Sequence, residues 1–146
     1  MLELVFQNLT DSKSFKKDFF AKILNKAEKE VKLKNRKNGV SVNLVGESKI
    51  RELNKKYRQK DKATDVLSFP IQEAISRSRT SGSFRSPASG SIDLGDIFIC
   101  LSIAKKETKR ENIDIETKLA QLAVHGFLHL AGYDHERSKQ DAEKMF

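Results

Sequence analysis

The stretch His125-Gly126-Phe127-Leu128-His129-Leu130-Ala131-Gly132-Tyr133-Asp134-His135 holds all three histidines of the chain. Its spacing describes a metal site that a polypeptide can build. On an α-helix, His125 and His129 are four residues apart, so both imidazoles project from one face. Gly132 can take the left-handed conformation that ends a helix and turns the chain. That turn can bring His135 back to complete a set of three nitrogens. Three protein ligands with an open fourth position is the catalytic zinc pattern, whereas structural zinc sites are closed by four ligands and rich in cysteine. A lone histidine is usually a core or surface residue. Three in this spacing, with none elsewhere in the chain, point to a metal.

The residue after the first histidine narrows the chemistry. Metzincin peptidases share this histidine spacing and carry a glutamate general base there; this chain has Gly126. A peptidase using that glutamate is disfavoured. Asp134 and Glu136 flank His135, and each reads equally as a base, as a partner orienting an imidazole, or as a solvated surface acid. The general base is left unassigned.

Outward from this block, Ile115 to Leu130 reads as a helix with Ile115, Leu119, Leu122 and Val124 inward, and Ser102 to Arg110 as a shorter one. Leu94 to Leu101 reads as a strand buried in its second half, with Cys100 a buried structural thiol. The segment from Ser76 to Ser91 is rich in serine and arginine and reads as a mobile loop. Val66 to Phe69 is a short apolar segment ended by Pro70. Glu47 to Arg58 reads as a helix with Ile50, Leu53 and Tyr57 inward. Val40, Val42 and Leu44 alternate as a strand after a polar turn at Asn35 to Gly39. Ser12 or Ser14 is expected to cap a helix carrying Phe15, Phe19, Ile23 and Ala27. Leu2, Leu4 and Phe6 alternate as a first strand, and Ser138 to Phe146 is expected to open a last helix. Alternating strands and helices predict an α/β or α+β chain with a small mixed sheet.

The chain has 146 residues, enough for one domain with a proper core. Its formal charge is +8 and its pI about 9.6, which favours a polyanionic partner. The cations gather in three runs: Lys55, Lys56, Arg58, Lys60 and Lys62; Lys32, Lys34, Arg36 and Lys37; and Lys105, Lys106, Lys109 and Arg110. Each alone reads as a solvated face. Beside a metal site they favour phosphodiester over peptide cleavage. One cysteine allows no internal disulfide and suits a reducing compartment. No stretch approaches the roughly 20 apolar residues of a membrane span, so a cytoplasmic protein is expected.

Several motifs together resemble the YbeY family of endoribonucleases: the histidine block, Leu53-Asn54-Lys55-Lys56-Tyr57-Arg58, Thr64-Asp65-Val66-Leu67-Ser68-Phe69-Pro70, and Leu94-Gly95-Asp96-Ile97-Phe98-Ile99-Cys100. They cover most of residues 40 to 140. The resemblance implies a single zincin-like α+β domain over residues 1–146, with a small mixed sheet packed against helices. It implies a metal-dependent endoribonuclease acting on single-stranded rRNA at the 3′ end of 16S rRNA and in ribosome quality control, with the ribosome or small subunit as partner and no DNA or membrane. One zinc ion would be held by His125, His129 and His135. Arg58 would be catalytic and bind the scissile phosphate, with Ser68 in the substrate site and Asp65 nearby. Read alone, Arg58 is one cation in a basic run. Asp96 reads as a structural residue at a strand end. The loop at 76–91 is longer than the family pattern leads one to expect, and members often continue along a helix beyond the position of Phe146. Two rival readings remain: a metalloprotease-like hydrolase, and a non-enzymatic ribosome assembly factor with a structural zinc.

Overall fold

The computed structural model describes residues 2–31, 38–70 and 92–132. The elements are β1 (Leu2–Asn8), α1 (Lys17–Glu30), β2 (Asn38–Val45), α2 (Glu47–Arg58), β3 (Val66–Pro70), β4 (Ile92–Cys100), α3 (Leu101–Glu111) and α4 (Ile115–Leu130). The sheet runs β1-β2-β4-β3. β1, β2 and β4 are parallel, and β3 pairs antiparallel with β4 at one edge. The fold is α+β with a small mixed sheet, as the sequence predicts.

Side-chain alternation sends the two faces of the sheet to different helices. On one face Leu4, Val40, Val42, Leu44, Ile97 and Ile99 pack against Phe20 and Leu24 of α1 and Leu119, Ala123 and Phe127 of α4. On the other, Val45, Cys100, Leu67 and Phe98 pack with Ile50 of α2. Cys100 is buried, as expected.

Several local expectations change. α1 starts at Lys17, after Lys16, with no side-chain cap. Ser12 and Ser14 instead belong to a turn after β1, where Asn8 Nδ2 donates to the Ser12 carbonyl at 2.6 Å and Thr10 Oγ1 to Asn8 Oδ1 at 2.6 Å. Phe15 therefore precedes the helix, and the buried stripe is Phe20, Leu24 and Ala27. Asn38 and Gly39 lie in β2 rather than in a turn. β2 is buried at all eight positions, because it runs between two parallel neighbours with helices on both faces. In α2 the buried residues are Ile50 and Asn54, with Leu53 and Tyr57 half-buried. In β4 the burial alternates from Asp93 onward rather than filling in its second half, and Leu101 begins α3. The expected loop at 76–91 and the last helix at 138–146 lie outside the described residues.

Candidate active site

α4 keeps the bounds read from its sequence, for a local reason. Asp114 caps it by accepting from the Thr117 backbone N–H at 2.7 Å. Leu119, Leu122, Ala123, Gly126, Phe127 and Leu130 turn toward the sheet. His125 and His129 stand half-buried on one flank of that stripe, four residues and about 6 Å of helix rise apart. Gly126 lets the helix approach: a Cβ there would lie 2.9 Å from Ile97 Cγ2. Gly95 repeats the device on the strand. Its φ is +138°, and a Cβ would meet the Phe69 carbonyl, the Leu130 side chain and Pro70. α4 thus lies tight on β4 and β3 where it carries the histidines. It ends at Leu130, and Gly132 takes φ +100° with its N–H donating to the His129 carbonyl at 3.2 Å. The turn expected of Gly132 is present. His135, Asp134 and Glu136 lie outside the described residues, and among the described residues no group of three metal-ligating side chains gathers.

β3 carries the second part of the site. The Cys100 N–H donates to the Asp65 carbonyl at 2.8 Å. In an antiparallel ladder bonded and non-bonded pairs alternate. Ser68, opposite Ile97, is therefore a non-bonded residue whose carbonyl points off the open edge. Arg58, the last residue of α2, fills that place: its Nη2 donates to the Ser68 carbonyl at 2.8 Å. Its guanidinium lies 4.9 Å from the centroid of the Phe69 ring. Phe69 in turn contacts Tyr57 and Phe98. Arg58 is thus a held side chain rather than one more cation of a run. Ser68 shares its face with Val66 and Ile97, the face that α4 covers, whereas Phe69 and Arg58 lie toward α2. Ser68 thus turns its carbonyl to Arg58 and its side chain to the face that α4 covers.

A charge cluster around buried Lys118 stands at the other end of α4. Lys118 Nζ lies 2.9 and 3.0 Å from the Glu111 carboxylate oxygens and 3.2 Å from Glu107 Oε1, with its side chain 8% exposed. Burial pushes Glu107 above the usual carboxylate range, and the neighbouring Asp65 carboxylate adds to the push. Burial pulls the Lys118 ammonium down, but its bonds to Glu111 and Glu107 outweigh that and hold it above the ordinary lysine value. The sequence reading passed over Lys118. The available signal was its place next to Leu119 and four residues before Leu122, inside the inward stripe. Asp96, expected at a strand end, sits within β4 and accepts from Ser41 Oγ.

The basic runs differ once folded. In the α3 run, Lys106 pairs with Glu47 at 3.5 Å and Arg110 with Glu107 at 3.6 Å. After α2, Gln59 takes a left-handed conformation, Lys60 N–H donates to the Asn54 carbonyl at 3.2 Å, and Asn54 Nδ2 donates to the Lys62 carbonyl at 3.0 Å. Buried Asn54 thus shapes a strap on which Lys60 and Lys62 are exposed. Among the described residues neither has a carboxylate within ion-pair reach, and the one acid on the strap, Asp61, is bound by Arg51 at 2.7 Å. The run at 32–37 lies outside the described residues.

Several proteins of similar sequence are named as endoribonucleases. The family model described as Endoribonuclease YbeY matches residues 6–146. The endoribonuclease YbeY of Sulfurihydrogenibium sp. is 39% identical over 135 residues, 92% of this chain and 80% of that protein. That of Persephonella marina is 42% identical over 107 residues, 73% of this chain and 63% of that protein, so the match spans under two thirds of that relative's length. That of Mesoplasma florum is 35% identical over 147 residues, covering this whole chain and 82% of the relative. The solution structure of a Thermotoga maritima protein superposes with a TM-score of 0.56 at 30% identity, over 99% of this chain and 84% of that one. The chain belongs to the endoribonuclease YbeY family. Among the described residues no helix is long and apolar enough to cross a membrane.

Proposed function

We propose that this chain is a zinc-dependent endoribonuclease that cuts single-stranded rRNA, at the 3′ end of 16S rRNA, in the cytoplasm and on the small ribosomal subunit, with a part in ribosome quality control. Family membership supports RNA as the substrate class. The observation that carries the chemistry is the pairing of two half-buried imidazoles on one flank of α4 with a guanidinium fixed at the Ser68 edge. Two neutral imidazoles four residues apart suit zinc, and His135 would be the third ligand. When bound, zinc supplies a Lewis acid that brings the pKa of coordinated water down to about 7. Arg58 is oriented for the scissile phosphate by the Ser68 carbonyl and the Phe69 ring. There a planar guanidinium pairs with phosphate oxygens and offsets charge that develops in the transition state. The Ser68 hydroxyl, on the α4 face of β3, would hydrogen-bond the same substrate. Gly126 argues against the peptidase rival. The position faces buried Ile97, so a glutamate introduced there would meet the core.

The test pairs zinc content by mass spectrometry with cleavage of a defined rRNA fragment. Wild type should carry one zinc and cut. His129→Ala should lose both. Arg58→Ala should keep zinc and lose about 10²-fold or more in kcat, the loss typical of one transition-state donor. Equal cleavage by wild type and His129→Ala would end the proposal.

A further inference from the structure

Lys118, His125 and His129 lie in one line along α4. Seven residues bring a helix almost full circle twice, so Lys118 and His125 face the same way about 10 Å apart. On the neighbouring strand, Asp65 and Ser68 are three residues and again about 10 Å apart. The two elements run in the same direction: the Lys118 cluster reaches Asp65 through Glu107, and further on Leu130 and Pro70 both crowd Gly95. Helix and strand therefore lie side by side, with an ionic cluster at one end and the two histidines toward the other.

We propose that Lys118 is a positioning residue, which sets how far the histidine-bearing helix lies along β3. Its ammonium ties α4 to Glu107 and Glu111 of α3, and α3 continues directly from β4, whose last residue Cys100 donates its N–H to the Asp65 carbonyl at the mouth of β3. Apolar contacts between α4 and the sheet resist separation more than sliding. A directional charge cluster built on a buried lysine favours one register, because any other leaves the buried ammonium without its partners. The role rests on the endoribonuclease reading for its consequence in catalysis, but the geometry it sets is measurable without it.

The experiment compares Lys118→Met, Lys118→Arg and the double variant Lys118→Met/Glu107→Leu at a temperature where all are folded. The readouts are the ring 15N and 1H resonances of His125 and His129 in metal-free protein, zinc affinity by chelator competition, and kcat against KM on an RNA fragment. Lys118→Met should shift both ring environments, weaken zinc about tenfold and lower kcat with KM little changed. Lys118→Arg should restore all three. The double variant should regain thermal stability, having lost the unpaired Glu107 charge, yet keep the shifted rings and weak zinc. Unshifted rings and wild-type zinc affinity in folded Lys118→Met would overturn the proposal. So would recovery of zinc affinity in the double variant, which would make Lys118 merely structural. If the rings shift while wild type neither binds zinc nor cuts RNA, the functional reading fails and the positioning role stands.

Discussion

Gly126 sets two effects of similar size against each other. Replacing a mid-helix glycine by alanine normally gains about 1 kcal/mol of helix propensity. Here the new methyl would stand 2.9, 3.2 and 3.3 Å from three carbons of Ile97, which is wholly buried and cannot swing aside. Overpacking of this kind costs about 1–3 kcal/mol. Gly126→Ala should therefore lower stability by roughly 1 kcal/mol net, measured by urea unfolding, and a more stable variant would show that α4 shifts outward freely. Gly95→Ala should be worse than Gly126→Ala. Its φ of +138° disfavours any side chain, and its Cβ would fall 2.2 Å from a backbone oxygen that has no rotamer to change. At this scale the histidines were legible because metal chemistry demands a spacing. Ser68 was reached only through the family's motif, and its geometric role depends on which carbonyl of an edge strand is left open, which needs the pairing register. Lys118 shows the converse: a lysine in an inward stripe reads as tolerated surface until the two glutamates of another helix are found against it.

The helices and strands divide by how local their signals are. α2 and α4 match their sequence readings because α4 has its cap at Asp114 and both have unbroken periodicity. α1 was read too early because serines that satisfy a turn look like caps, and only the Asn8–Thr10–Ser12 bonds distinguish them. β2 is legible as a strand from Val40, Val42 and Leu44, but its full burial is not, because alternation cannot reveal that β1 and β4 flank it in parallel. Between α3, α4 and β3, the charge cluster makes a further prediction. Lys118→Met leaves Glu107 and Glu111 without their shared cation and should cost about 1–2 kcal/mol, because only the lysine is buried and Glu111 is exposed. The pH dependence follows from Glu107. Its carboxyl is raised in the fold, so its stabilising contribution is fully present below the ordinary glutamate value and is lost as pH rises through its folded value. Asp61, held low by Arg51, and Asp114, held low by Thr117, act oppositely: their contributions are lost as pH falls through their folded values. The stability of Glu107→Gln relative to wild type should thus grow as pH rises above the ordinary glutamate value of about 4, as measured by urea unfolding at each pH. A constant difference would mean that Glu107 titrates as an ordinary surface acid.

Across the whole molecule, folding divides the cations into paired and exposed ones. The +8 of the chain is not spread evenly in effect. The α3 cations Lys106 and Arg110 spend much of their field on Glu47 and Glu107, whereas Lys60 and Lys62 sit on a strap fixed by Asn54, two and four residues from Arg58. A single strand tracking that strap would release about 0.7 counterion per phosphate neutralised. Binding of a single-stranded rRNA fragment should therefore weaken linearly in log–log terms with salt. Lys60→Gln/Lys62→Gln should make that slope shallower by about 1.4, and Lys106→Gln/Arg110→Gln should hardly change it. Zinc is held by uncharged imidazoles in the proposed site, so the zinc content of the same samples should not follow salt. Anisotropy titrations at several salt concentrations decide the matter. Equal slope changes for the two double variants would mean that RNA reads the overall charge of the protein, and that the strap beside Arg58 has no particular part in leading it to the histidines.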